Sequence, residues 1–116
     1  MKQLLLILSV TLGLATVAQA GFVNNRDAWE KMYPSEKSVY VQGLWDSSVS
    51  PLASDKKQVR KQKINIQMCF DEAKASAGTM VDMIDDYYKD VENWREPPLQ
   101  GLLVAMGSFC KGYQPN

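Results

Sequence analysis

The chain has 116 residues with 13 basic and 13 acidic side chains, and it contains no histidine. Its length accommodates one domain, and a formal net charge of zero excludes a nucleic-acid binder that works by neutralising phosphates. With 46% hydrophobic residues the chain has enough apolar side chain to fold, which excludes disorder throughout.

The first element in chain order is an export signal. Lys2 supplies a positive start, residues 4–17 are an almost unbroken apolar stretch, and Ala18-Gln19-Ala20 is a small-x-small cleavage site. About fourteen apolar residues fall short of the roughly twenty that a helix needs to cross a bilayer. The expectation is therefore a secretory signal over residues 1–20, rather than a membrane anchor. Gly21, not a cysteine, stands directly after the cleavage site, so a lipid anchor is not expected either. Cleavage after Ala20 takes 20 of the 116 residues and leaves one domain, residues 21–116, of 96 residues. Cys69 and Cys110 both lie in that part. Two cysteines in a small exported domain pair in an oxidising compartment. Closing a loop of about forty residues stabilises by roughly 4 kcal/mol through chain entropy, a large share of the usual total of about 5–15 kcal/mol.

Asn24 and Asn25 precede residues 26–33, where an Asn can cap a short first helix that Pro34 stops. Ser35 then offers an N-cap with Glu36 in the first turn, for a second helix running to about residue 48 or 50. On it Tyr40, Gly43, Leu44 and Ser47 recur at helical spacing, with Gly43 leaving room for a neighbour, although Val39-Tyr40-Val41 would equally suit a strand. Pro51 ends this element. Residues 55–63 are polar and cationic, with Lys56, Lys57, Arg60, Lys61 and Lys63. Ile64, Ile66, Met68 and Phe70 then alternate with polar neighbours, which predicts an extended segment or ragged helix leading into Cys69.

The C-terminal half reads more clearly. Thr79 with Asp82 three residues on resembles a capping box. Met80, Ile84, Tyr87, Tyr88 and Val91 form one apolar stripe of an amphipathic helix, with Asp82, Asp85, Asp86, Lys89 and Asp90 around it. Residues 93–96 make a polar corner about Trp94. Pro97-Pro98 starts a last helix. Leu99, Leu102, Leu103, Met106 and Phe109 are expected to face the core, Cys110 closes the helix, and Gly112 suits the position beyond it. The fold class is all-α: a small bundle of about four short helices closed by one disulfide.

The absence of histidine removes Ser-His and Cys-His nucleophile activation and most zinc sites. Paired cysteines would leave no thiolate, and no Gly-rich phosphate loop or dinucleotide fingerprint is present. No catalytic residue, metal ligand or cofactor is therefore assigned, and an enzyme is not expected. The one constellation to weigh is Asp82, Asp85 and Asp86, which share a helix face at the spacing of an acid/base pair or of oxygen ligands for a cation. A solvated face explains them more simply, with Asp82 favoured by the helix dipole. The cations of residues 56–63 and the acids of the later helix either match each other within the molecule or form two patches that steer a protein partner. Trp29 and Trp45 are assigned to the core. Trp94, lying among Glu92, Asn93, Arg95 and Glu96, is the candidate recognition residue, with Arg95 and Glu96 beside it.

The segment Tyr40-Val41-Gln42-Gly43-Leu44-Trp45-Asp46 resembles the aromatic-x-x-Gly-x-x-Asp helix signature of the Rap/Tai immunity proteins of bacterial type VI secretion systems. In that family the signature helix is followed by a first Cys, an amphipathic helix, a proline-containing corner and a last helix closing on a second Cys. Here those parts would be Cys69, residues 80–91, residues 94–98 and residues 99–110, while the Pro that often follows the first Cys is replaced by Phe70-Asp71-Glu72. The resemblance implies a periplasmic protein that binds and blocks a peptidoglycan amidase toxin with a Cys-His site. Tyr40, Gly43 and Asp46 would be structural positions, and toxin-facing residues do not carry over from the motif. The competing class is a periplasmic acid-stress chaperone of the HdeA type, with acidic residues as its trigger, and a third is another exported helical binding module. Homodimerisation stays open.

Overall fold

Caps and prolines set the helix boundaries. The computed structural model describes residues 23–115, so the signal reading of residues 1–20 and the cleavage after Ala20 lie outside the described residues. Helix α1, Arg26–Glu30, starts where the Asn25 side chain accepts the Ala28 N–H at 2.9 Å. Helix α2 is Pro34–Val49. Pro34 is its first residue rather than a separator, because a helix start leaves that N–H unbonded anyway. Ser35 therefore lies inside the helix, and Tyr33 occupies the cap position without a side-chain bond.

Helix α3, Lys57–Glu72, corrects the expectation of an extended or ragged segment. The alternation over residues 64–70 gives way to helical spacing: Cys69 and Phe70 are buried and Ile66 packs beside them, while Ile64 and Met68 face out. Lys, Gln, Arg and Met are good helix formers, which supports the same outcome locally. The helix ends in a Schellman turn. Ala75 N–H donates to the Phe70 carbonyl and Lys74 N–H to that of Asp71, both at 3.0 Å, with Lys74 in the left-handed region at φ 54°.

Helix α4, Ala77–Tyr87, is capped by Ser76, not Thr79. Ser76 Oγ accepts the Thr79 N–H at 3.2 Å and Thr79 Oγ1 accepts the Ser76 N–H at 3.0 Å. The capping box thus begins three residues earlier than predicted, and Thr79 plays the part that Asp82 was expected to play. Val91 leaves the apolar stripe, because the helix has ended and a 3-10 turn, Val91–Asn93, carries it into solvent. Helix α5, Pro98–Phe109, starts on the proline pair as expected.

Among the described residues the chain is all helical, with no strand. Helix α2 packs between α3 and α4, and α5 lies against α4. Both neighbours run antiparallel to α2. The Phe70 ring lies 4.6 Å from that of Trp45, and Gln67 Nε2 donates to the Val49 carbonyl at 2.7 Å. On the other side Lys37, early in α2, lies 3.8 Å from Asp85, late in α4. The first turns of α3 consequently run past the end of α2 as an overhang.

Trp29, Val41, Ile84 and Leu102 are completely buried and form the centre of the core, where each such side chain contributes about 1.5–3 kcal/mol of transfer free energy. Leu103 faces solvent instead of the core, and Phe109 sits at the margin with its ring 5.0 Å from Phe70. Close helix approach occurs at Gly101, where an added Cβ would fall 2.8 Å from Cδ1 of Tyr87, and not at Gly43, which has open space beyond it. Cys69 and Cys110 form the expected disulfide, with Cα atoms 5.9 Å apart, joining the end of α3 to the end of α5.

Candidate functional site: the corner between α4 and α5

A helix that ends leaves its last carbonyls without partners. At the end of α4 the corner's own side chains supply them: Asn93 Nδ2 donates to the Tyr87 carbonyl at 2.9 Å and Trp94 Nε1 to the Tyr88 carbonyl at 2.8 Å. Tyr88 is buried, and its hydroxyl donates back across the corner to the Glu96 carbonyl at 2.6 Å. Burial pushes that hydroxyl's pKa well above the ordinary tyrosine value, with neighbouring Tyr87, Tyr40 and Glu96 adding to the rise. Asp90 caps the 3-10 turn through the Glu92 N–H at 3.1 Å. From the other end of the domain, Arg26 N–H donates to the Trp94 carbonyl at 2.9 Å, and the Arg26 guanidinium lies 4.4 Å from the centre of the Trp94 ring.

Trp94 therefore has two parts. Its indole nitrogen belongs to the fold, while the residue as a whole stays 41% exposed beside Arg95 and Glu96, both at the surface. Arg95 and Glu96 make no ion pair among the described residues. A shallow cleft runs beside the ring between Asn25, Arg26, Asp27 and Arg95. The corner is thus stiff in its backbone and open on its outer side.

The three carboxylates on α4 do not act together. Asp85 accepts the Trp29 Nε1 hydrogen at 2.8 Å and faces Lys37, whose ammonium lies 5.0 Å above the Trp29 ring. Asp86 pairs with Lys89, and Asp82 is exposed. Among the described residues no group of three or more acids or cysteines is placed to hold a metal ion. The Trp29–Asp85–Lys37 contact was invisible in the sequence, because it joins positions 56 residues apart. Of the signature residues, Tyr40 is half-buried with its ring 6.3 Å from Trp29, whereas Gly43 and Asp46 face solvent. Trp45 is half-buried against Phe70, and Trp29 is at the centre of the core.

The charges do not match each other across the fold. Among the described residues no ion pair joins the cations of α3 to the acids of α4, so the intramolecular match is not formed. Lys63 pairs instead with Asp55, at 2.8 Å. That hydrogen bond, with one from the Leu52 N–H, holds the Asp55 carboxyl below its ordinary pKa. No helix among the described residues is long and apolar enough to cross a membrane, and the disulfide is of the kind an oxidising compartment permits. Comparison with known proteins finds no match to a family model, to a curated protein sequence or to a solved structure.

Proposed function

We propose that this protein is a periplasmic immunity protein, which binds a peptidoglycan amidase toxin of a type VI secretion system and blocks its groove. The observation that carries the reading is the corner of residues 88–97. It presents a partly exposed Trp and two uncompensated charges on a backbone already held by hydrogen bonds. A preorganised loop loses little entropy on docking, and an aromatic among charges is the usual anchor of an inhibitory interface. The order of helix, Cys69, amphipathic helix, corner and helix closing on Cys110 supports the same reading. The outward-facing Gly43 and Asp46 weaken the structural role the resemblance implied for them.

The test pairs genetics with binding. Deleting the gene should sensitise cells to a co-encoded or sibling-delivered amidase, and purified protein should block peptidoglycan cleavage at one-to-one stoichiometry. Arg95→Glu, which changes an exposed side chain outside the corner's hydrogen bonds, should weaken that block by about tenfold or more while thermal stability holds. Cells that resist the amidase without the gene, yet die faster at low pH, would establish the acid-stress chaperone instead.

A further inference from the structure

The uncompensated charges lie at opposite ends of α2. At its C-terminal end, Gln67 and Lys63 are bound to the Val49 and Ser50 carbonyls, so the preceding residues of α3 extend past it. On that overhang Lys56, Lys57, Arg60 and Lys61 are exposed and make no ion pair among the described residues. At the other end, where Lys37 meets Asp85, the chain continues into exposed Asp90, Glu92 and Glu96, which outnumber the one exposed cation among them, Arg95, and are likewise without an ion pair among the described residues. Helix α2 has 16 residues, so at about 1.5 Å per residue its ends lie about 24 Å apart. Ions at physiological strength screen over about 8 Å. The two patches cannot neutralise each other within one molecule.

Each patch also carries apolar side chains. Leu52 (54% exposed) and Ile64 (43%) accompany the cations, and Val91 (65%) and Trp94 (41%) accompany the acids. Each end is therefore complementary, in charge and in apolar content, to the opposite end of the same molecule.

We infer that the surface these patches define is a docking face for a second copy of this chain. Two molecules lie antiparallel, with the α3 overhang of each against residues 90–96 of the other. A two-fold pair satisfies both ends of both molecules at once, whereas head-to-tail contact leaves an open end on each terminal copy. The apolar side chains supply attraction, and the charges fix orientation and register. This inference does not rest on the inhibitor reading, although any partner for the corner would compete with the second copy.

Sedimentation equilibrium of the disulfide-bonded protein tests it. The expected result is a dimer whose dissociation constant rises at least tenfold between about 0.05 and 0.5 M salt. Lys56→Glu with Lys57→Glu and Lys61→Glu makes both ends acidic, and Glu92→Lys with Glu96→Lys makes both ends basic. Each variant alone should be monomeric where the parent protein is dimeric, and an equimolar mixture of the two should form the heterodimer. All five side chains are exposed, and circular dichroism verifies that each variant is folded. A parent protein that stays monomeric at millimolar concentration overturns the proposal. So does a dimer indifferent to salt and to both charge reversals, as one formed through the uncharged outer face of α5 at Leu103 and Val104 would be.

Discussion

The corner of residues 88–97 and the overhang of α3 both carry exposed charge, but they are held in different ways. The corner is fixed by hydrogen bonds from Asn93, Trp94 and Tyr88, and by Arg26 from the far end of the chain. On the overhang every residue from 57 to 62 is exposed, and Arg60 reaches the Leu52 carbonyl at 3.0 Å through a long surface side chain. Aromatic donors that bond in partly buried surroundings contribute to folding and set geometry. Surface cations contribute little to folding and stay available for contact with another molecule. Exposed charge is thus part of a built site at one end of α2 and an open surface patch at the other.

Substitutions on the corner side should cost more stability than substitutions on the overhang side. Trp29→Ala should cost the most, about 3–5 kcal/mol, because it leaves a cavity in the core and removes the donor to Asp85 on α4. Thermal or urea denaturation measures it, and a loss below about 1 kcal/mol would separate the corner from the core. Next comes the double change Cys69→Ser with Cys110→Ser, at about 2–5 kcal/mol. Hydrogen exchange should show α3 amides losing more protection than those of α4, since the bridge is the covalent link between α3 and α5. Equal loss in both helices would mean that the bundle unfolds as one unit.

Tyr88→Phe should cost about 0.5–1.5 kcal/mol by deleting the bond to the Glu96 carbonyl. Its pH dependence has a definite sign. The folded pKa is raised, so the hydroxyl's contribution is fully present below the unfolded value of about 10 and is lost as pH rises above it. The parent protein should therefore lose stability above about pH 10 more steeply than the variant does. Lys74→Gly should raise stability, by about 0.5–1 kcal/mol, because the residue sits at φ 54°. A loss instead would show that the Lys74 side chain has a role of its own.

The smallest effect is expected next to the overhang, at Asp55. Its pKa is lowered, so its contribution is present above the unfolded carboxylate value of about 3.9 and disappears as pH falls through the lower folded value. Asp55→Asn should flatten that part of an acid titration followed by circular dichroism, below about pH 4, and leave the neutral-pH spectrum unchanged. A neutral-pH unfolding would mean that the base of the overhang is as firmly built as the corner.

Much of the C-terminal half was legible residue by residue. The start of α5 at Pro97-Pro98 follows from the geometry of proline, and the α4 stripe through Met80, Ile84 and Tyr88 follows from helical period. The Asn25 cap is similarly local. The pairing of Cys69 with Cys110 required only their number and an oxidising environment. In the candidate site, an aromatic among charges marked Trp94, but nothing nearby in sequence revealed that its nitrogen closes the end of α4 or that Arg26 covers its ring.

Local sequence by itself determined the Asn25 cap, the proline start of α5 and the main apolar stripe, because each depends on residues within a turn or two of one another, and it determined the pair of cysteines, 41 residues apart, because there are only two. Tertiary structure decided the rest. It turned the alternating run of residues 64–70 into helix by burying Phe70 against Trp45 and Phe109, and it moved the close approach of helices from Gly43 to Gly101. It also brought Asp85 to the indole nitrogen of Trp29 and sent the unmatched charges to opposite ends of α2. In these cases the energy comes from partners distant in sequence, whose burial and separation exist only after the helices have packed.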